Sequence, residues 1–161
     1  MVEVELVTVR VEMPSNTSVV LLRERSGDRR LLPILIGNAE ATAIAYALDG
    51  LETPRPMTHD LMKNLLDDLA VSLDQVIVTE LRDRTFYAEL KLRTGAGLQT
   101  ISSRPSDAIA LAVRTGTPIY VAETVLAEAA YREEEQKVDQ DEVVEEFRRF
   151  IDNVSPDDFA S

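Results

Sequence analysis

The first segment of the chain, VEVELVTVRVE at residues 2–12, alternates apolar and polar side chains. Successive strand residues point to opposite faces of a sheet, whereas a helix repeats every ~3.6 residues, so the pattern predicts a strand and excludes a helix. The alternation changes phase after Leu6, which predicts a β-bulge. Segments 18–25 and 30–36 flank the turn sequence RSGDR, and Pro33 favours a sheet edge. The chain therefore opens with three strands, predicted to be antiparallel.

Helix signals follow in two neighbouring segments. Residues 37–50, GNAEATAIAYALDG, predict a helix with Asn38 as N-cap and Gly50 at its end. This helix is apolar on nearly every side, which is typical of the inside of a fold or of an interface. After the proline-stiffened connector LETPRPM, a second helix begins near Thr58. Its leucines form one apolar stripe, namely Leu61, Leu65, Leu66 and Leu69.

A second group of strands precedes a third helix. Residues 74–81, 85–92 and 97–103 predict a meander, with RDR and RTGAG as its tight turns. SSRPSDAIALAVRTG at 102–116 combines a Ser/Pro start signal with a stop at Gly116, which predicts a helix. A short strand is predicted next, at PIYV.

The C-terminal part is predicted as a short helix at 123–131, a charged linker at 132–141 and an amphipathic helix at 142–154. Because strands and helices occur in separate runs, the sequence predicts one α+β domain with a mixed, mostly antiparallel sheet and four to five helices. Its core is predicted to span 1–130. Residues 131–161 are predicted to form an acidic linker and terminal helix of the same domain.

Composition restricts the chemistry. The chain contains no cysteine, which excludes disulfides, thiol catalysis and cysteine-ligated metals. The net charge of -12 argues against a nucleic-acid partner, but residues 123–161 hold 13 acidic and four basic residues, so the rest carries only -3. Within residues 1–122, two groups of basic residues predict either a local basic patch or solvated hairpin ends. They are Arg23, Arg25, Arg29 and Arg30, and Arg82, Arg84, Lys91 and Arg93.

Several classes of function are not supported. The N-terminal sequence has no basic and apolar leader pattern, and no apolar window is long enough to span a bilayer, so we expect a cytoplasmic protein without membrane association. No Walker loop, GxGxxG, GxSxG or base-reading motif occurs. Stacking platforms for bases are few, because tryptophan is absent and Phe86 and Tyr87 point to opposite faces of one strand.

Acid–base chemistry is available from the only histidine, His59, together with Asp60, Glu40 and Asp107. Helix neighbours point about 100° apart, so His59 and Asp60 are predicted not to form a hydrogen-bonded pair, although both can serve one site. Alternatively, Thr58 caps the helix, Asp60 complements its dipole and His59 packs against the PRP segment. As metal ligands these residues suit Mg²⁺ or Mn²⁺ better than zinc, although no compact ligand spacing supports a metal.

The segment SSRPSD favours phosphate binding, because serines and Arg104 gather where a helix N-terminus attracts anions. Equally, these residue types are ordinary caps, and Asp107 itself suits the dipole. Glu40 lies on an otherwise apolar helix and needs a cation if buried, for which Arg55 and Arg104 are candidates. The predicted phosphate-binding residues are Arg104, Ser103, Ser106 and Arg55.

Four blocks of the sequence, in order, are LPILIGNAEATAIAYALDG, PRPMTHDL, SSRPSDAIALAVRTGTPIYVAETVL and FRRFIDNVSPDDF. Together they resemble the bifunctional nuclease domain, a bacterial and plant family credited with degrading both DNA and RNA. The resemblance spans nearly the whole chain. It implies an α+β domain that self-associates, with a dimer favoured, and RNA and DNA as partners. The resemblance identifies motif positions in this sequence but assigns no catalytic role to any of them.

The function predicted from these observations is hydrolysis of RNA and DNA without sequence preference. In the predicted mechanism an acidic group or a metal activates water, Arg104 and the helix N-terminus hold the phosphate, and His59 protonates the leaving oxygen. The alternative is a non-enzymatic interaction or regulatory module. In that case the alanine-rich helix and the acidic C-terminal part contact proteins, and SSRPSD binds a small phosphorylated ligand.

Overall fold

The computed structural model describes residues 1–153, except the side chains of residues 135–140. The strands in this range are β1 Val2–Glu12, β2 Thr17–Glu24, β3 Leu31–Ile36, β4 Ser72–Arg82, β5 Thr85–Thr94, β6 Gly97–Ser103 and β7 Ile119–Val121. The helices are α1 Asn38–Leu48, α2 Thr58–Asp68, α3 Pro105–Thr115, α4 Glu123–Ala129 and α5 Glu133–Asn153. The structure confirms the predicted single α+β domain with a mostly antiparallel sheet.

All seven strands form one sheet, in the order β3-β2-β1-β7-β4-β5-β6. The pairing of β4 with β7 is parallel, and every other pairing is antiparallel. The predicted bulge is present, because the β1–β2 register shifts between Leu6 and Thr8. Pro33 lies in the edge strand β3, as predicted.

The sheet consists of two three-stranded halves. One half is β1, β2 and β3, which α1 contacts, and the other is β4, β5 and β6, which α3 contacts. The three-residue strand β7 pairs with both β1 and β4 and so joins the halves. Helices α1 and α3 also pack on each other. The two helices therefore meet where the halves of the sheet meet.

Helix α3 is the most buried helix, because every side chain from Ala108 to Ala112 is buried. It begins with Pro105 and ends at Gly116, as predicted, and the φ of 67° at Gly116 is the left-handed conformation typical of a helix end. The RDR turn is confirmed as well. Asp83 and Arg84 both have positive φ, as a two-residue hairpin turn requires, and the turn exposes Arg84.

One helix prediction was wrong in detail. Gly37, not Asn38, is the N-cap of α1, and the Asn38 side chain instead accepts a hydrogen bond from the Ser18 hydroxyl, at 2.6 Å. Of the predicted leucine stripe of α2, only Leu66 packs against the core, beside Met62. The leucines at least half exposed are Leu61, Leu65 and Leu69. Periodicity located the apolar positions of α2 but not the direction in which each side chain faces. Because an exposed apolar surface is typical of a protein interface, the dimer stays a prediction.

The predicted linker at 132–141 was also wrong, because helix α5 begins at Glu133 and continues to Asn153. Glutamate, glutamine and lysine are good helix formers, and no glycine or proline interrupts the segment. The end of the predicted last helix, and residues 154–161 generally, lie outside the described residues. In residues 1–153, no helix is apolar enough over a sufficient length to cross a bilayer.

Candidate functional site

The start of α2 is organised by Asp60. Met57 is the N-cap, rather than Thr58, and its backbone N–H donates to Asp60 Oδ2 at 3.0 Å. The other oxygen of Asp60 accepts from Arg114 Nε at 2.7 Å. Arg114 is almost fully buried and also donates to the carbonyls of Ala110 and Ala43, so it ties α1, α2 and α3 together. Asp60 is thus engaged as a helix cap and ion-pair partner.

His59 is the only fully buried residue of α2, and it faces α3. Its Nε2 lies 2.9 Å from Asp107 Oδ1. The prediction that His59 and Asp60 would not pair is therefore confirmed. Because a carboxylate can only accept a hydrogen bond, the contact places a hydrogen on Nε2, and Nδ1 takes no part in it.

Asp107 extends the contact to the surface. Its second oxygen accepts from Arg104 Nε at 2.8 Å, and Arg104 also donates to Glu40 Oε1 at 2.9 Å. His59, Asp107, Arg104 and Glu40 therefore form a continuous hydrogen-bonded series, the charge line. Gly37 makes room for it, because a Cβ at that position would collide with the carboxylate of Glu40.

Two carboxylates of the site, Asp107 and Asp60, are stabilised in their charged form. Burial raises the pKa of Asp107, but the hydrogen bonds from Arg104 and His59 outweigh it, and the net pKa is below the ordinary value. The hydrogen bonds from Arg114 and the Met57 N–H lower the pKa of Asp60. The bonds to Asp107 and Glu40 raise the pKa of Arg104.

These pairings leave no arrangement suited to a divalent cation. Among the side chains that the structure describes, no three His, Asp or Glu residues converge to hold a metal. Both oxygens of Asp107 and of Asp60 already accept hydrogen bonds, and one oxygen of Glu40 binds Arg104. Arg104 lies between Glu40 and Asp107, where a metal would have to replace its positive charge.

Two cavities adjoin the charge line, and Arg104 contributes to both. The smaller, of about 210 Å³, lies between α1, the start of α2 and α3. We call it the α cavity, and its lining includes Glu40, Tyr46, His59, Asp107 and Arg114. The larger, of about 560 Å³, lies beside β3 and is called the β cavity.

The predicted phosphate-binding residues are only partly brought together. Arg104 is central, and its side chain is 65% exposed. The Ser103 hydroxyl donates to the Arg104 carbonyl, and Ser106 is buried and lines the β cavity. Arg55 is exposed and lines neither cavity, so Glu40 pairs with Arg104 rather than with Arg55. Sequence reasoning missed Arg114, although a charged residue on an apolar helix was an available signal.

The two predicted basic groups are largely neutralised by acidic neighbours. Arg23, Arg25, Arg29 and Arg30 pair with Glu5, Glu3, Glu5 and Glu24, respectively. In the second group, Arg82, Lys91 and Arg93 pair with Glu80, Glu89 and Asp74. Arg84 is different, because it makes no ion pair or side-chain hydrogen bond with the residues that the structure describes. The geometry thus favours ion-paired hairpin ends over a broad basic patch.

Comparison with known proteins identifies the family. A model described as the bifunctional nuclease domain matches residues 20–134, most of the chain and all of the charge line. The chain belongs to the bifunctional nuclease domain family. It is 47% identical over 165 residues to an uncharacterised protein of Mycobacterium tuberculosis, covering 99% of this chain and 98% of that protein.

Plant members of the bifunctional nuclease family are more distant. Bifunctional nuclease 1 of Oryza sativa subsp. indica is 30% identical over 105 residues, 63% of this chain and 32% of that protein. Bifunctional nuclease 2 of Arabidopsis thaliana is 31% identical over 107 residues, 65% of this chain and 32% of the plant protein. The similarity thus covers about one third of each plant protein.

The acid sensitivity of the domain tests the contact between Asp60 and Arg114. Because the folded-state pKa of Asp60 is depressed, its stabilising contribution is fully present above the unfolded value of about 3.9 and is lost as pH falls through the lower folded value. We expect the stability difference between wild type and Asp60→Asn to shrink below about pH 5. Urea denaturation followed by circular dichroism measures this. A difference independent of pH would contradict the assignment.

Proposed function

We propose that this domain hydrolyses phosphodiester bonds of RNA and DNA, without sequence preference, in the α cavity. The observation that supports the proposal is the charge line, which places an imidazole, two carboxylates and an exposed guanidinium beside one cavity. The family supports it independently, because its plant members carry the name bifunctional nuclease.

Arg104 is the proposed phosphate-binding residue. A guanidinium has five N–H donors, and the contacts with Asp107 and Glu40 use two of them. The remaining donors can bind the non-bridging oxygens of a phosphodiester and stabilise the charge that develops on them. Glu40 and Asp107 hold the guanidinium in place, which reduces the entropy lost when the phosphate binds.

His59 and Glu40 are the proposed proton-transfer groups. An attacking water forms the new bond to phosphorus and transfers a proton to the oxygen of Glu40 that does not bind Arg104. The bond to the leaving oxygen breaks, and Nδ1 of a protonated His59 gives that oxygen a proton. Asp107 acts on this step through His59, because it orients the ring and stabilises the imidazolium. Asp60 and Arg114 are assigned a positioning role.

Arg104 and Arg93 provide a matched test of the proposal. Both side chains are similarly exposed, at 65% and 63%, and both pair with aspartate, but Arg93 lies on β5 and lines neither cavity. We expect Arg104→Ala to lower the cleavage rate of labelled single-stranded RNA and DNA by about 100-fold. We expect Arg93→Ala to stay within about twofold, because an exposed ion pair contributes little. Since no proposed step uses a metal, activity is expected to persist in EDTA.

Equal losses in the two arginine variants would contradict the role of Arg104. Loss of activity in EDTA, restored by Mg²⁺ or Mn²⁺, would contradict the proposed metal-independent steps. The second candidate function is a non-enzymatic binding or regulatory module. One observation favours it: every carboxylate in the charge line is already paired, as in a purely structural network. Absence of cleavage by the folded wild type would favour that binding or regulatory module.

A further inference from the structure

The β cavity is separate from the proposed proton-transfer groups. One wall is the edge strand β3, from Pro33 to Ile36, and the opposite wall is the β4–β5 turn. Residues Arg104 to Ser106, at the start of α3, close one side. Its volume of about 560 Å³ is within the range of small-molecule sites, about 300–1,000 Å³.

The charged residues in the lining of the β cavity are all basic. Arg84 and Arg104 are the basic residues of its lining, which contains no acidic residue. Arg104 is paired, but Arg84 has no ion pair with any residue that the structure describes. An uncompensated guanidinium in a concave wall favours an anion more than the ion-paired arginines elsewhere on this sheet.

Phe86 provides an apolar surface in the same wall. It is only partly buried, packs against the core and lies two residues from Arg84 on the same hairpin. Residues of β3 and Pro105 complete the lining of the cavity on this side. An aromatic ring beside a cation suits a nucleotide, because the base stacks or packs on the ring while the phosphate meets the guanidinium.

We propose that the β cavity binds one unpaired nucleotide of a single-stranded chain, adjacent to the phosphate held by Arg104. Phe86 contacts the base, and Arg84 binds the phosphate on its far side. Because Arg104 belongs to both cavities, a strand that occupies the β cavity presents its next phosphate to the charge line. A base in a duplex is stacked and paired and does not enter, so this subsite selects single strands.

The subsite deepens the proposed function and rests on it only for the direction in which the strand runs past Arg104. Binding alone tests the subsite. The probe is a fluorescein-labelled oligothymidylate, and fluorescence anisotropy is measured at several salt concentrations, in a His59→Asn background that keeps the probe intact. We expect Arg84→Ala to weaken binding about tenfold at low salt and to reduce the salt slope by about one. We expect Phe86→Leu to weaken binding about fivefold with an unchanged salt slope. The duplex with oligoadenylate is expected to bind at least about tenfold more weakly than the single strand.

Arg82→Ala is the matched control. It removes the same charge from the same hairpin, but Arg82 pairs with Glu80, stacks on Tyr87 and does not line the cavity. The affinity of the Arg82→Ala variant for the oligothymidylate is expected to stay within about twofold of that of the His59→Asn protein. Equal effects of Arg84→Ala and Arg82→Ala would overturn the subsite, as would full affinity in a folded Phe86→Leu variant or duplex binding as tight as single-strand binding. Absence of cleavage by the wild type would refute the proposed hydrolysis but not this subsite, because the readout is binding.

Discussion

Replacing His59 with asparagine is expected to lower the rate of phosphodiester cleavage by about 1,000-fold, since general acid catalysis contributes about 10²–10⁴-fold. Asparagine cannot donate a proton to the leaving oxygen at neutral pH, although it can still hydrogen bond to Asp107. The rate is measured on labelled single-stranded RNA and DNA, with the variant and the wild type purified identically. We expect Asp107→Asn to lower the rate less, because it removes the group that orients His59 and leaves the imidazole in place.

Folding must be measured alongside the rate, because His59 is the only fully buried side chain of α2. Thermal denaturation followed by circular dichroism shows what fraction of each variant is folded at the assay temperature. Lys63→Ala is the control on the same helix, since Lys63 is partly exposed, lines neither cavity and, within the described part of the chain, pairs with Asp67 alone. We expect it to keep the wild-type rate. A folded His59→Asn variant with undiminished activity would remove this residue from the mechanism.

Replacing Arg114 with methionine is expected to lower the free energy of unfolding by about 3 kcal/mol. Methionine replaces much of the buried side-chain volume but none of the hydrogen bonds to Asp60, Ala110 and Ala43. The Asp60 carboxylate then loses its cation, and the contacts that join α1 and α2 to α3 are lost. Urea denaturation followed by far-UV circular dichroism measures the change.

Arg93→Met is the control for Arg114→Met. The Arg93 side of its ion pair with Asp74 is exposed to solvent. We therefore expect Arg93→Met to lower the free energy of unfolding by less than about 1 kcal/mol. Equal losses in the two variants would contradict the role assigned to Arg114. We also expect Arg114→Met to keep a larger share of the cleavage rate than His59→Asn, because Arg114 is assigned to positioning. This comparison is made at a temperature where Arg114→Met and His59→Asn are both folded.

Local signals predicted the elements well but could not predict their contacts. The start of α3 at Pro105 and its stop at Gly116 depend on neighbouring residues, and the strands follow from alternation. In contrast, His59 and Asp107 are 48 positions apart, and their contact exists only because α2 packs on α3. A helical pattern gives the spacing of side chains, not the neighbour that each one meets.

The β cavity shows the same limit. The sequence predicts Arg84 in a turn and Phe86 and Tyr87 on opposite faces of their strand, but a strand pattern cannot show that the far edge strand β3 lies opposite the β4–β5 turn. The ion pairs that neutralise the other basic residues also depend on strand register. Only the sheet as a whole shows that Arg84, unlike the other basic residues of its hairpin, has no ion pair with the described residues.

The junction at β7 determines how the two halves of the sheet are held together. Strand β3 and Glu40 belong to one half of the sheet and its helix, whereas Arg84, Phe86 and Arg104 belong to the other, and the backbone ladder between the halves is only three residues long. Because so few backbone hydrogen bonds join the halves, side chains supply most of the connection: both halves contribute to one apolar core, and Arg114 ties α1 to α3. The ion pair between Glu40 and Arg104 also joins the halves. The proposed phosphate site is therefore assembled from both halves and depends on their packing.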